Sequence, residues 1–117
     1  MPHFVVHTNA SFLATTNGTR ILQCINERAE ASGLFPNSTI KVRIIPFENS
    51  IVGGEHADII HIVAWIMGGR TTEQKKALAD SIIIALKDLL PEIPTLSIDI
   101  RNIDPSTYSN REMVGKG

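Results

Sequence analysis

The sequence predicts an α+β fold in which two βαβ repeats form one four-stranded sheet with two helices on one face. The order strand, helix, strand occurs twice along the chain, and a single shift of 56 positions relates the two occurrences. This shift places the strand pattern at 4–6 on that at 60–62, and the pattern at 40–44 on that at 96–100. A βαβ unit makes a parallel strand pair with a right-handed crossover, so two such units can share one sheet.

The sequence pattern of the first repeat predicts two strands and one helix. A short β-branched run at 4–7 predicts the opening strand, and alternation at 40–45 predicts the closing strand. Between them, residues 19–32 carry apolar side chains at helical spacing, and Gly33 follows where a helix would end.

The second repeat opens with a nearly continuous apolar strand at 59–67. Thr71 and Gln74 have the spacing of a capping box, and Pro91 ends the helix that they begin. The helix is apolar on more than one side at 81–86, which indicates either complete coverage by the sheet or packing on another subunit.

Length and composition indicate one domain, 1–117, with pseudo-repeats at about 2–47 and 58–103. Eleven basic residues against twelve acidic ones create no field that would attract nucleic acid or an anionic membrane. The single cysteine, Cys24, excludes an intramolecular disulfide and fits a buried helix position. Because no apolar run reaches membrane-spanning length, we expect a cytoplasmic protein with neither nucleic acid nor membrane as partner.

The chain begins Met1-Pro2, and a small second residue allows removal of the initiator methionine. Pro2 would then be a secondary amine in a rigid ring. The pKa of an α-amino group lies near roughly 8, and burial beside cations lowers it, so the neutral amine becomes a general base or nucleophile. Alternatively, Pro2 only leads into an edge strand, where its missing N–H does no harm.

A second candidate site residue, Arg70, follows Gly68-Gly69 at the turn between a strand and a helix. The glycines let the backbone turn, and a helix start offers unpaired N–H groups and the positive end of the dipole. The guanidinium of Arg70 is a permanently charged fork that suits a carboxylate. The alternative is a solvated arginine in a turn.

These residues resemble a known family. Met1-Pro2, followed much later by the segment 69–75 after a strand, is similar to the tautomerase superfamily with its amino-terminal proline, the 4-oxalocrotonate tautomerase-like proteins. The start Pro2-His3-Phe4, the segment 33–36 and His56 resemble the 5-carboxymethyl-2-hydroxymuconate isomerase family more closely. The resemblance extends over residues 2–103.

The resemblance implies a tautomerase/MIF-like pair of βαβ units assembled as a homotrimer, with sites near the subunit contacts. It also implies that the mature amino-terminal proline moves a proton between carbons of an unsaturated keto or enol acid, while arginines hold the carboxylates. Pro2 matches the catalytic proline, and Arg70 matches the arginine of the strand-to-helix turn.

The second substrate-binding arginine of the family has a lysine, Lys41, at the matching position. Lysine neutralises a carboxylate as a point charge but cannot form the bidentate fork. Arg43 is two residues further along, hence on the same strand face, and is an alternative. His3, next to Pro2, is the third candidate for substrate binding. Each of the two cations can also be read as a solvated strand residue.

The other histidines and the tryptophan predict no further site. His7 shares a strand face with His3, whereas His56 and His61 lie far away in sequence, and no Cys, Asp or Glu completes a zinc spacing. We therefore expect neither a metal ion nor an organic cofactor. Trp65 lies in the apolar strand and is read as a core residue.

The functional hypothesis is a 1,3-proton shift in an unsaturated 2-hydroxy or 2-oxo dicarboxylic acid of the 5-carboxymethyl-2-hydroxymuconate type. A hydratase or dehalogenase of small unsaturated acids is an alternative that requires a water-activating carboxylate, for which Glu48, Glu55 and Asp58 are candidates. A second alternative, favoured by Lys41, is a non-catalytic trimeric binding or signalling module. The tail at 106–117 either folds over a neighbouring subunit or stays loose.

Overall fold

The computed structural model describes residues 1–13 and 17–115. The strands and helices confirm the predicted order of strand, helix and strand in each half of the chain. A short hairpin between the halves and a terminal helical turn are additional. In chain order the elements are β1 (His3–Asn9), α1 (Asn17–Ala31), β2 (Lys41–Phe47), β3 (Ile51–Val52), β4 (Glu55–His56), β5 (Ile59–Met67), α2 (Thr72–Leu89), β6 (Thr95–Ile103) and α3 (Arg111–Val114).

The main sheet has the strand order β2-β1-β5-β6. β1 is parallel to β2 and β5 is parallel to β6, while the central pair β1 and β5 is antiparallel. This is the predicted arrangement of two βαβ units in one four-stranded sheet. β1 and β5 begin 56 residues apart, at 3 and 59, as the predicted shift requires. Their parallel partners β2 and β6 begin at 41 and 95, so for these strands the predicted shift is two residues too long. A shift by two residues keeps each side chain on the same face of its strand. The alternation of apolar residues therefore still predicted β2 and β6.

The core lies between one face of the sheet and the two contacting helices α1 and α2. Alternate residues of the central strands point into it, as the period of two for a strand requires. Removal of this apolar surface from water provides the main favourable free energy of folding, at about 25 cal/mol per Å². The fully buried members are Phe4, Val6, Ile21, Ile25, Ala29, Ile60, Ile62, Ala64, Ile66, Ile82 and Leu86.

The helix termini follow the sequence signals. The Thr71 hydroxyl accepts a hydrogen bond from the Gln74 backbone N–H, and the Gln74 side chain accepts one from the Thr71 N–H, which confirms the capping box. Gly33, after the end of α1, has a φ of 70°. Cys24 is half-buried in α1, where burial raises the pKa of its thiol. Ile84 of α2 is 58% exposed, so the sheet does not cover the whole apolar surface of this helix.

The sheet face opposite the helices carries polar, aromatic and charged side chains. The expectation that Trp65 is a core residue is wrong: its neighbours in β5 point to the core, and Trp65 points to the other face, 37% exposed. The Arg101 guanidinium carbon lies 5.4 Å from the centroid of its ring. On the same face His7 lies directly opposite His61, whose Nδ1 is 2.6 Å from the Ser97 hydroxyl.

Two absences hold for the part of the chain that the structure describes. No three potential metal ligands lie close enough together there to bind an ion. Over the same residues, every helix is too short or too polar to cross a membrane.

Candidate active site

Four strand ends meet at the end of the sheet where β1 begins. Since β1 and β2 are parallel, Lys41 starts its strand beside Pro2 and donates its backbone N–H to the Pro2 carbonyl at 3.1 Å. β5 runs the other way, so its last residues and those of its parallel neighbour β6 end at the same edge. The topology thus brings together the amino terminus, the start of β2, the turn before α2 and the segment after β6.

The α-amino group at this edge lies in a partly buried, positively charged environment. In the structure this amino group belongs to Met1, which is half-buried. The next residue, Pro2, is fully buried. Burial is the main cause that lowers the pKa of this amine below its ordinary value, and the charges of Lys41 and Arg70 lower it further. Two of the three cations that the sequence proposed as carboxylate ligands, Lys41 and Arg70, therefore act on the amine.

Arg70 is held in place by the backbone and by an aromatic ring. Its Nη1 donates to the Met67 carbonyl at 3.1 Å and its Nη2 to the Leu34 carbonyl at 2.7 Å. The guanidinium carbon lies 5.1 Å from the centroid of the Phe35 ring, which in turn packs edge-on against Phe4. A guanidinium has five N–H donors, and these bonds use two of them. The group is thus oriented in advance while donors remain for a ligand.

Lys41 and Arg43 lie on the same face of β2 but have different neighbours. The Lys41 ammonium donates to the Thr39 carbonyl at 2.7 Å and is close enough to the amine to lower its pKa. The Arg43 guanidinium contacts His3 Nδ1 at 3.1 Å. Because arginine can only donate, Nδ1 accepts, and the neutral ring carries its hydrogen on Nε2. Burial first, and then Lys41, Arg43 and the α-amino group, lower the pKa of His3 and favour this neutral form.

The segment after β6 returns to the amino terminus of its own chain. The Asn110 side-chain amide donates to the Met1 sulfur at 3.0 Å, a contact between residues 109 positions apart. An open cavity of about 300 Å³ lies here, lined by Met1, Asn110, Glu112 and Met113. The tail at 106–117 was expected either to fold over a neighbouring subunit or to stay loose; within its described part, Asn110 contacts Met1 of the same chain. The sequence signal for Asn110 was only local, since asparagine is a good N-cap residue for a helix such as α3.

Comparison with known proteins shows the family of the chain. A family model described as 5-carboxymethyl-2-hydroxymuconate isomerase matches residues 2–114, nearly the whole chain. The chain belongs to the 5-carboxymethyl-2-hydroxymuconate isomerase family. The resemblance inferred from the sequence is confirmed, and family membership supports an isomerase or tautomerase type of function. No curated protein sequence matches the chain.

Solved structures have the same fold at low identity. A 5-carboxymethyl-2-hydroxymuconate isomerase from Deinococcus radiodurans R1 superposes with a TM-score of 0.80 at 21% identity, covering 93% of this chain and 87% of that one. N1, a member of the cis-3-chloroacrylic acid dehalogenase family, gives 0.79 at 18% identity, with coverages of 92% and 79%. W0, a fused wild-type 4-OT described as a symmetric trimer, gives 0.77 at 22% identity and covers 94% of each chain. These likenesses show the fold.

The candidate carboxylates for a hydratase or dehalogenase lie elsewhere in this isomerase-family chain. Glu48 and Asp58 line a cavity with Asn9, at the opposite end of β1 from Pro2. Glu55 lies in the β3–β4 hairpin near the same end. At about 3.3 Å per residue, the length of β1 separates them from Pro2 by roughly 20 Å. The structure does not bring any of the three to the proposed base.

Proposed function

We propose that this protein is an isomerase that catalyses a 1,3-proton shift in an unsaturated 2-hydroxy or 2-oxo dicarboxylic acid of the 5-carboxymethyl-2-hydroxymuconate type. One observation carries the proposal: the α-amino group ahead of β1 belongs to the half-buried Met1, and burial, Lys41 and Arg70 all lower its pKa. This combination favours a neutral amine beside a site for anions. Family membership supports the same type of reaction.

The general base in this proposal is the amine of Pro2 after removal of Met1. Removal moves the chain terminus one residue along, to Pro2, whose ring is fully buried while Met1 is in place. Desolvation and two nearby cations disfavour the ammonium form, so a larger fraction of the amine is neutral near pH 7. The lone pair takes the proton from the enol hydroxyl, and the resulting ammonium returns it to a carbon of the same substrate. The proton leaves and returns through one amine, so the reaction needs neither a metal ion nor an organic cofactor.

The cations hold the substrate and stabilise the charge that develops in the reaction. We assign Arg70 and Lys41 to the carboxylates and to the dienolate, because preorganised donors stabilise developing negative charge in a site with little water. His3 presents Nε2–H as a neutral donor at the same edge, and Arg43 fixes that tautomer through Nδ1. Arg43 then acts on the substrate mainly through His3.

The assembly in this proposal is a homotrimer. W0, which has the same fold, is described as a symmetric trimer. This chain also exposes apolar side chains that a subunit contact can cover, notably Ile84 on α2, Ile51 on the β3–β4 hairpin and Trp65 on the open sheet face.

The experiment that tests the proposed function uses processed protein whose intact mass shows that Pro2 is the first residue. With 2-hydroxymuconate as substrate, we expect a faster loss of the enol absorbance than in buffer. A phenylenolpyruvate-like enol with one carboxylate is expected to have a lower kcat/KM, because only one of the two cations finds its carboxylate. A rate equal to that of buffer with both enols would contradict the proposal.

Replacing Lys41 and Arg43 one at a time is expected to distinguish their effects on the amine and on the substrate. Lys41→Met removes a like charge beside the amine, so the ammonium form becomes less unfavourable and the apparent pKa on the acidic side of the kcat/KM profile rises. We also expect KM for the dicarboxylate to rise by roughly ten- to a hundredfold, the scale for loss of a charged hydrogen bond. The matched control, Arg43→Met, is expected to leave that apparent pKa in place. Equal changes of the pH profile in both variants would contradict the assignment of Lys41.

A further inference from the structure

The contact between Asn110 and Met1 shows which side chain faces the space beside the amine. The Asn110 amide nitrogen is 3.0 Å from the Met1 sulfur, and both residues are half-buried. They line the same cavity of about 300 Å³. Removal of Met1 takes away one of the residues that line this cavity and makes its neighbour in the chain, Pro2, the amino terminus.

The orientation of the Asn110 amide is fixed independently of Met1. Its Oδ1 accepts the backbone N–H of Met113 at 2.9 Å as the N-cap of α3. Since the oxygen is engaged by a donor, the amide nitrogen is the other end of the group, and it faces Met1. The N-cap of α3 therefore sets the orientation of the Asn110 amide.

A thioether sulfur is a weak acceptor, so Met1 satisfies this donor poorly. A carboxylate or carbonyl oxygen accepts more strongly, above all when it is charged. Asn110 lies in the tail after β6, whereas the two cations come from the start of β2 and the turn before α2. The donor therefore comes from a different segment of the chain than the two cations.

We propose that Asn110 is a substrate-binding residue whose side-chain amide donates a hydrogen bond to an oxygen of the acid substrate, in the space that Met1 fills before processing. This proposal rests on the proposed function for the reaction itself. It adds a neutral donor, contributed by the tail, to the two cations and the amine. The tail thereby contributes to the selection of the substrate.

Asn110→Asp in processed protein is the informative variant. Aspartate keeps the acceptor that caps α3 but has no N–H and places a negative charge near the anionic substrate. We expect kcat/KM for 2-hydroxymuconate to fall by roughly 10- to 100-fold, the range for loss of a hydrogen bond to a charged group. The control Arg111→Gln changes the same short helix at a residue that does not line the cavity, and its kcat/KM should stay within about twofold of the parent. An Asn110→Asp variant with parental kcat/KM would overturn the proposal and leave the isomerase function standing.

A second measurement tests whether Asn110 contacts a bound dicarboxylate, and it can be used if the variant unfolds or the parent shows no turnover. The side-chain ¹H–¹⁵N signals of Asn110 are followed in the processed parent protein during titration with adipate, a saturated dicarboxylate that cannot react. A saturable shift of these signals supports the site even if the isomerase assay fails. Adipate binding that shifts other signals but not those of Asn110, or no binding at all, overturns it.

Discussion

Protein that keeps Met1, or carries any residue ahead of Pro2, is expected to have no isomerase activity. The proline nitrogen is then an amide, which has no basic lone pair, and a retained Met1 contacts Asn110 at the cavity that both residues line. In this proposal the Pro2 lone pair is the group that takes the proton, so its loss removes the base. The measurement is the rate with 2-hydroxymuconate for one preparation before and after cleavage of an amino-terminal extension, with intact masses for both.

Pro2→Ala in processed protein is the matched control for this loss. It keeps a terminal amine in the same environment but replaces the secondary amine and loses the rigid ring, so we expect reduced, measurable turnover. Equal rates for the cleaved and extended forms would rule out the proline base and favour a non-catalytic binding module.

Arg70→Ala is expected to lower kcat/KM for a dicarboxylate by roughly 2–4 kcal/mol, or about 30- to 1000-fold, the scale for loss of one donor to a developing oxyanion. The effect should be large because two carbonyls and the Phe35 ring hold the guanidinium in place before substrate arrives. Steady-state kinetics of the processed variant, together with thermal unfolding, measure it.

The control for Arg70 is Arg20→Ala, which removes an exposed arginine of α1 that does not act on the amine. It should leave kcat/KM within about twofold of the parent. Arg70→Lys keeps the charge but cannot reproduce the fork, so its activity should lie between those of Arg70→Ala and the parent. Parental kinetics in Arg70→Ala would remove this residue from the site.

The repeated strands and helices could be predicted because each has a strong local signal. Alternation identified the strands, and Thr71, Gln74 and Gly33 marked the helix ends. The failure at Trp65 has a physical cause: a continuous apolar strand does not show which of its two faces the helices cover. The β3–β4 hairpin was missed because two-residue strands carry no usable period.

The site was predictable where it depended on local sequence and unpredictable where it depended on register. Pro2 directly precedes a strand and Arg70 follows a glycine turn, and these positions made both residues candidates. Lys41 and Arg43 share one strand face, so only the pairing of Lys41 with the start of β1 distinguishes their distances from the amine. Asn110 could not be found because a cap residue in a tail gives no sign of a partner 109 positions earlier.

Titration of the Pro2 nitrogen by ¹⁵N NMR in processed protein tests the proline base most directly. The neutral amine is the active form, so kcat/KM should rise with pH as the nitrogen loses its proton. We predict that the amine titrates below the value of roughly 8 for a free α-amino group, and that the acidic side of the kcat/KM profile has the same midpoint. A nitrogen that titrates at or above that value, or a profile that does not follow it, would contradict the assignment of Pro2 as the base.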